Sequence, residues 1–273
     1  MAVLRVTGVL SKLLRKPRSS AAKPLSRKST ISTGKALVST NSGRITKNKP
    51  QNVTARRLEL YDNTMLSDFR RCPRMWLFRH QLGWRPQVPS SALIFGQGWH
   101  DAMDVVWKAV CWDRVPKKDR GDVVVAAHEA FERTWEEQDG PYTVENYLES
   151  NPDGQVKHSP DVALEMLIHY IDQRWAYMRD PDWELLDIEL PFAVPLHTDR
   201  PDLFYVGRLD KVGRWRGNLR VIEHKTTSMF AKSGGFQQRW IDSFSPNTQV
   251  EGYLYAASMH YGERVKDVFV DGA

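Results

Sequence analysis

Three charged residues in the C-terminal half of the chain have the types and spacing of a metal-dependent hydrolytic site. The alternation of residues 206–212 and 221–226 predicts two antiparallel strands, with Asp210 on the first and Glu223 and Lys225 on the second. Because successive side chains of a strand point to opposite faces, Glu223 and Lys225 share a face. Two carboxylates and an ammonium group are therefore expected to meet on one face of a hairpin.

The turn between these strands decides which residue lies opposite Asp210. A two-residue loop at 216–217 places Asp210 opposite Glu223, whereas a loop at 217–218 places it opposite Lys225. Both loops contain the same glycine. Both registers leave the three charged residues on one face.

The two carboxylates favour a divalent cation, because like charges side by side disfavour each other unless a cation lies between them. Oxygen ligands suit Mg²⁺ or Mn²⁺, and such an ion leaves room for a phosphate oxygen and a water. Lys225 would orient or help to deprotonate that water, or offset charge that grows on the phosphate. This is the chemistry of metal-assisted phosphodiester hydrolysis. The competing interpretation is a hairpin with a surface salt bridge, which contributes about 0–1 kcal/mol.

Motifs elsewhere in the chain favour the hydrolytic interpretation. In chain order, and together with those of the hairpin, the motifs are Cys72-Pro73-Arg74-x-Trp76, Gly96-x-x-x-His100, Gly207-x-x-Asp210, Glu223-x-Lys225-Thr226 and Gln249-x-x-x-Tyr253. As a set they resemble the PD-(D/E)XK nuclease superfamily, specifically its RecB-like exonuclease branch and the phage-type members of that branch, over roughly residues 62–270. Leu209 departs from the pattern, since many members have proline before the aspartate.

The resemblance implies a role for each matching residue. The implied metal ligands are His100, Asp210, Glu223 and the backbone carbonyl of His224. The implied catalytic set is Lys225, Asp210, Glu223, Gln249 and Tyr253. In this set Lys225 is the catalytic lysine, and Gln249 and Tyr253 position the DNA backbone or that lysine. The implied cofactor is Mg²⁺ or Mn²⁺.

Many members of this branch also hold an iron–sulfur cluster through one N-terminal and three C-terminal cysteines. Cys72 has the first of these positions, but Cys111, the second cysteine of the chain, fits none of the others. Two cysteines alone form neither a disulfide framework nor a four-thiolate site. We therefore expect no cluster in this chain, unless it is a fragment that lost a C-terminal portion, and we interpret Cys72 as a small buried residue.

The basic segment over residues 70–85 is a candidate nucleic-acid surface. Its arginines are interleaved with Trp76, Phe78 and Trp84, which indicates either a solvated charged face or a strip that contacts phosphates and stacks bases. The residues predicted to bind nucleic acid are Arg70, Arg71, Arg74, Trp76, Arg79 and Tyr253.

Two residues near the hairpin receive structural interpretations. The His224 side chain alternates to the face opposite Glu223, so we expect it to pack or hydrogen-bond rather than to bind metal. Glu189, at the start of the first strand, would add a carboxylate to the site in one interpretation, but an ordinary exposed strand acid is the favoured one.

Charge divides the chain into a basic arm and an acidic body. Residues 1–57 contain 14 Lys/Arg and no acidic residue, so the net charge of residues 58–273 is −8, although that of the whole chain is +6. An acid-free, Ser- and Arg-rich arm with an amphipathic start is typical of a mitochondrial or plastid presequence, but also of a disordered tail. We expect a disordered arm over 1–57 and a nuclease domain over 58–273.

Hydrophobic periodicity predicts an α/β fold in which helices flank a mixed central sheet, and the resemblance implies that its core is restriction-endonuclease-like. A helical N-terminal portion brings His100 to that sheet. The predicted helices cover residues 67–84, 95–112, 122–138 and 160–179, and a fifth begins at a Ser245-Pro246 cap and ends at Gly262. The predicted strands cover residues 188–196, 204–212, 219–226 and 265–270.

Together these observations predict a divalent-metal-dependent exodeoxyribonuclease that acts on DNA ends or single strands in recombination, repair or phage replication. The alternatives are a non-catalytic nucleic-acid-binding module and a structural subunit of a helicase–nuclease assembly. No apolar run approaches the roughly 18 residues of a membrane span. We expect the protein in the cytoplasm of a bacterial or phage-infected cell, unless the arm directs import into an organelle.

Overall fold

A computed structural model describes residues 3–7, 57–87, 90–140, 158–231 and 233–273. A mixed sheet with helices on both faces confirms the predicted α/β class. The strands are β1 (Val3–Thr7), β2 (Glu59–Tyr61), β3 (Trp183–Pro195), β4 (Leu203–Trp215), β5 (Asn218–Lys225) and β6 (Asp267–Gly272). The α-helices are α1 (Asn63–Arg71), α2 (Pro73–Trp76), α3 (Ser91–Trp107), α4 (Arg120–Glu137), α5 (Pro160–Met178), α6 (Gln238–Asp242) and α7 (Thr248–Tyr261). Turns of π-helix, Leu77–Gln81 and Lys108–Trp112, extend α2 and α3.

Strand β4 is the centre of the sheet. It pairs with β3 antiparallel along one edge, and with β5 antiparallel and β2 parallel on the other. Strand β6 then pairs parallel with β5, and β1 pairs antiparallel with β6. Because β2 reaches only residues 203–205 of β4 and β5 only residues 211–215, residues 206–210 have no ladder partner on that edge in the described part of the chain. Asp210 lies at the end of this gap.

The turn between β4 and β5 fixes the register of the hairpin. Trp215 pairs with Asn218, so the loop is 216–217 and Asp210 lies opposite Glu223. Both loop residues have positive φ, 50° at Arg216 and 74° at Gly217, as a type I′ turn requires.

Each face of the sheet has its own apolar core. Helices α3, α4 and α5 pack on one face, around a cluster that includes Trp107, Trp183 and Phe269. Helix α7 packs on the other, over Val212 and Val268. The two helices that carry predicted site residues, α3 and α7, therefore approach the sheet from opposite faces.

The helix predicted over residues 67–84 begins earlier, at Asn63, and is interrupted. Asp62 caps α1, since its side chain accepts a hydrogen bond from the Met65 N–H at 2.7 Å. Cys72 is extended, with φ −161°, because the proline that follows disfavours helical backbone at the residue before it. The chain restarts as α2 with Pro73 in its first turn.

Helix α7 also begins later than predicted. Its cap is Asn247, whose side chain accepts hydrogen bonds from the N–H groups of Gln249 and Val250, and not Ser245-Pro246. Its predicted end at Gly262 is confirmed.

The basic arm contributes one strand. Val3–Thr7 forms β1, where the amphipathic start of the arm indicated a helical face, while residues 8–56 lie outside the described residues. The boundary at residue 58 and the targeting role of the arm stay predictions. None of the described helices is long and apolar enough to cross a membrane.

Candidate active site

An open cavity of about 470 Å³ lies where β4 and β5 diverge. Its walls include all six side chains that the motifs assign to catalysis or metal binding, namely His100, Asp210, Glu223, Lys225, Gln249 and Tyr253. Residues from two helices and two strands, far apart in the chain, therefore meet at one place.

Asp210 and His100 form the centre of the site. Asp210 Oδ2 lies 3.2 Å from His100 Nδ1 and accepts a hydrogen bond from the backbone N–H of His224 at 2.8 Å. Burial alone would raise the pKa of the Asp210 carboxyl, but the charge and hydrogen bond of His100 hold that pKa well below its usual range. Burial lowers the pKa of His100, but the charge and hydrogen bond of Asp210 and the charge of Glu223 together outweigh this effect, so that the pKa is raised. The two residues thus stabilise each other's charged forms.

A second ion pair fixes the helix that carries His100. Lys211, fully buried, contacts the carboxylate of Asp104, which lies one helical turn after His100 on α3. Since Lys211 follows Asp210 in β4, this pair joins α3 to β4 beside the site. Sequence analysis missed the pair. The available signal was a lysine in a strand that is buried on both faces.

Glu223 is held by residues from two elements. Its Oε1 accepts a hydrogen bond from Gln249 Nε2 at 2.9 Å and contacts Lys225 Nζ. Gln249 Nε2 also donates to the hydroxyl of Tyr253 at 2.8 Å. Burial and then the charge of Asp210 raise the pKa of Glu223 to about 7, although Lys225 opposes them. Burial lowers the pKa of Lys225, but the adjacent Glu223 more than compensates, so that pKa is raised.

Glu189 belongs to the site, and its interpretation as an ordinary exposed strand acid is wrong. Its neighbours in β3 pair with Lys211 and Leu209, so Glu189 lies opposite Asp210. Its backbone has the left-handed φ of 53°, which is rare for a residue with a side chain. Its carboxylate lines the cavity and also pairs with Arg208. Burial and the carboxylates of Asp104 and Asp210 raise the pKa of Glu189 to about 7.

The donor atoms around the cavity fit a divalent cation. One ligand atom each of His100, Glu189 and Asp210 lie within 4.8 Å of one another. Glu223 Oε2 is buried and has no hydrogen-bond partner among the described residues, as expected of an oxygen that is free to bind a metal. Five carboxylates line the cavity against two Lys/Arg side chains. Oxygen donors in this proportion suit Mg²⁺ or Mn²⁺.

The His224 ring lies on the opposite face of the sheet from this cavity. It is fully buried, with its centroid 5.8 Å from Trp107 and 6.4 Å from Tyr170. Burial and then the charge of Lys211 lower its pKa well below the usual value. The ring therefore packs in the core, as alternation predicts, and its backbone carbonyl as a metal ligand stays a prediction.

The residues predicted to bind nucleic acid do not join the cavity, apart from Tyr253. Arg70, Arg71, Arg74, Trp76 and Arg79 lie on α1, α2 and the π-helical turn that follows. Arg79 donates to Asp68 at 2.8 Å, and Trp76 packs edge-on against Phe69 at 5.6 Å.

The two cysteines have structural positions. Cys72 caps α2, since its sulfur accepts a hydrogen bond from the N–H of Met75 at 3.5 Å. Cys111 is buried in the α3 core, where burial raises its pKa to about 12.

Comparison with known proteins agrees with this geometry. A family model described as the PD-(D/E)XK nuclease superfamily matches residues 63–271, which is more than half of the chain. A search of curated proteins gave no match. The matched range contains every residue that lines the cavity.

Proposed function

Because the chain belongs to the PD-(D/E)XK nuclease superfamily, whose members are metal-dependent nucleases, we propose that it is an exonuclease that uses Mg²⁺ or Mn²⁺ to hydrolyse DNA at ends or in single strands. The proposed processes are recombination, repair or phage replication. One observation carries the proposal: the motif residues converge on an acid-rich cavity that is open to a substrate.

Four residues have a proposed part in holding the cation. His100, Asp210 and Glu189 offer one cluster of ligand atoms, and Glu223 adds the free Oε2. A bound Mg²⁺ or Mn²⁺ would supply Lewis acidity and offset the charge of the scissile phosphate. The ion pair of Lys211 with Asp104 keeps His100 at its distance from Asp210 before any ligand binds.

Lys225 acts as an ammonium group in this proposal. Its pKa is raised, so the side chain is a poor base for deprotonating water. A protonated Lys225 instead donates hydrogen bonds, and it faces the cavity beside Glu223. It would orient the attacking water or the phosphate and stabilise charge that grows on the phosphate oxygens.

Gln249 and Tyr253 are positioning residues. Gln249 donates to both Glu223 and Tyr253, and it lies one turn of α7 before Tyr253. The hydrogen bond from Gln249 to Oε1 fixes the orientation of the Glu223 carboxylate, and Oε2 stays available to bind the cation.

Cleavage of end-labelled linear DNA and of closed circular DNA tests the proposal. With Mg²⁺ or Mn²⁺ the protein is expected to degrade the linear substrate from its ends and to leave the circle intact, and EDTA should abolish activity. Lys225→Ala should lower the rate by about 100-fold or more. Lys108→Ala, on an exposed lysine outside the cavity, is the matched control and should retain activity.

Two outcomes would contradict the proposal. Equal rates for the unmodified protein and Lys225→Ala would exclude the site. Absence of cleavage with either metal, together with retained DNA binding, would favour the non-catalytic nucleic-acid-binding module.

A further inference from the structure

A second cavity, of about 400 Å³, lies on the N-terminal segment and shares no lining residue with the active site. We call it the arginine–aromatic cleft and define it by Arg74, Phe78, Arg79, Trp84 and Arg85. We infer that this cleft binds single-stranded DNA by stacking an unpaired base on Trp84. The inference rests on the proposed nuclease function and specifies the form of its substrate.

The backbone folds Trp84 over Phe78. Gly83 has the left-handed φ of 71° and turns the chain back after the π-helical turn, so that the Trp84 N–H donates to the Phe78 carbonyl at 2.9 Å. The two rings then stack with centroids 4.7 Å apart and an interplanar angle of 7°. Arg85 donates to the carbonyl of Arg79 at 2.6 Å and holds the segment closed.

The stack is incomplete on its outer side. The guanidinium carbon of Arg74 lies 5.5 Å from the centroid of the Phe78 ring, and Phe78 covers one face of Trp84. Trp84 is nevertheless 63% exposed, the largest exposure among the big apolar residues that the structure describes. A rigid, solvent-exposed indole at the end of a stack is a ready platform for one more planar ring.

The charge around the platform selects the occupant. Residues 69–87 contain five arginines and no acidic residue. Asp68, just before them, is already bound by Arg79 and His80. Arg70, Arg71 and Arg74 are exposed. An apolar peptide would leave these guanidinium groups without counterions, whereas a phosphate backbone would neutralise them.

The exposed indole favours a single strand over a duplex. Bases in a duplex are stacked on their neighbours, so only an unpaired base has a free face for Trp84. The cleft is linked to the catalytic cavity through α1, which packs against α7 and β4, the elements that carry Gln249 and Asp210. A strand bound in the cleft would therefore be held on the same body as the site that cuts it.

Binding of a fluorescein-labelled oligothymidylate, followed by fluorescence anisotropy in EDTA, tests the inference with the full-length protein without cleavage. Trp84→Ala should weaken binding roughly 5- to 100-fold, the range expected for the loss of one stacked base. Trp84→Phe should recover most of that loss, because it retains a ring. Trp112→Ala, the matched control at another exposed tryptophan, should bind as the unmodified protein does.

Salt and a duplex probe separate stacking from electrostatics. The ratio of affinities between Trp84→Ala and the unmodified protein should persist at high salt, whereas Arg74→Ala should flatten the salt dependence of binding. A blunt duplex should bind Trp84→Ala and the unmodified protein with affinities within about twofold of each other. An equal loss on duplex and single strand, or a Trp84→Ala affinity within twofold of the unmodified protein, would overturn the inference.

The readouts also distinguish this inference from the proposed function. If binding depends on Trp84 but the protein cuts no DNA, the inference about the cleft is supported and the proposed nuclease function is contradicted. If Trp84→Ala changes neither the rate nor the KM of single-strand cleavage, the proposed nuclease function is supported and the inference about the cleft is contradicted.

Discussion

Two histidines lie 6.5 Å apart, ring centroid to centroid, in opposite electrostatic environments. His100 faces the catalytic cavity, and the charge of Asp210 raises its pKa despite partial burial. His224 faces the core on the other side of the sheet, and burial lowers its pKa well below the usual value. The two faces of the sheet therefore differ in the histidine that they favour: the cavity favours a protonated His100, and the core favours a neutral His224.

The carboxylates of the two regions differ in how many of their oxygens have partners in the chain. In the core region, Asp271 is buried and accepts hydrogen bonds from the Tyr170 hydroxyl at 2.6 Å and from Arg174 at 3.0 Å. Two donors from α5 thus satisfy one acid at the end of β6. In the cavity, acids outnumber Lys/Arg, and Glu223 Oε2 has no partner among the described residues.

This difference distinguishes a structural charge from a functional one. A buried carboxylate that holds a fold together is matched by donors of the chain itself. A cluster of carboxylates with surplus negative charge, an orphan oxygen and access to solvent requires a partner from outside. On these criteria Asp271 is structural, whereas we propose that Asp210, Glu223 and Glu189 bind a ligand.

The largest expected effect is that of Asp210→Asn on catalysis. The substitution removes the charge that holds His100 and the cation, so the DNA cleavage rate should fall about 1,000-fold, as a loss of several kcal/mol would produce. The melting temperature should fall as well, because His100 loses its ion-pair partner, so the rates are compared at a temperature at which both proteins are folded. A rate within tenfold of the unmodified protein would contradict the assignment.

Asp271→Asn should affect stability far more than catalysis. It leaves Arg174, whose side chain is only 14% exposed, without its counterion, so the free energy of unfolding in urea should fall by about 3 kcal/mol, roughly 100-fold in the unfolding equilibrium. The folded variant should cleave DNA at a rate within about threefold of the unmodified protein. Normal stability together with lost cleavage would show that the two regions are not distinct.

Gln249→Ala should lower the cleavage rate by roughly tenfold, since it removes the hydrogen bond that orients Glu223. Gln238→Ala is the matched control, because that glutamine donates to Asp242 on exposed α6. The rates of both variants are measured at saturating Mg²⁺. Equal rates would show that Gln249 does not position the carboxylate.

The smallest expected effect is a pH dependence of stability. Glu189 and Glu223 have pKa values raised to about 7, so the folded state binds their protons more tightly than the unfolded state does. Their contribution is fully present at low pH and is lost as the pH rises from about 4.5 to 7, and the raised pKa of His100 acts in the same direction. The lowered pKa of His224 acts in the opposite direction, because the folded state binds that proton less tightly than the unfolded state does.

In EDTA the melting temperature of the unmodified protein, taken relative to that of Glu223→Gln, should therefore fall as the pH rises through this window, because the variant keeps the other titrating groups. Mn²⁺ binds the ionised carboxylates and should oppose the fall, with a larger stabilisation at pH 7.5 than at pH 5.5. A relative melting temperature that rises over the same range would contradict the raised pKa of Glu223.

Local patterns predicted the strands that carry the site and their motifs. Alternation placed Glu223 and Lys225 on one face, and the glycine of the 216–217 loop limited the register to two alternatives. Only the pairing of Trp215 with Asn218 decided between them. Side-chain periodicity is a local property, and strand register depends on the turn conformation as well.

The features that sequence analysis did not resolve depend on how the chain packs. Glu189 lies at the cavity because the pairing of β3 with β4 puts it opposite Asp210, and this register is not visible in the residues around Glu189. The ion pair of Lys211 with Asp104 joins residues 107 positions apart in the sequence. Trp84 is exposed because Gly83 turns the chain, and nothing in its hydropathy indicates which face is covered. Such features follow from packing and not from periodicity.

Mn²⁺ binding, followed by electron paramagnetic resonance, tests the difference between the two carboxylate regions most directly. The unmodified protein and Asp271→Asn should bind Mn²⁺ with equal affinity, and Asp210→Asn should bind it at least tenfold more weakly. No Mn²⁺ binding by the unmodified protein, or equal binding by Asp210→Asn, would contradict a metal-dependent site in the cavity.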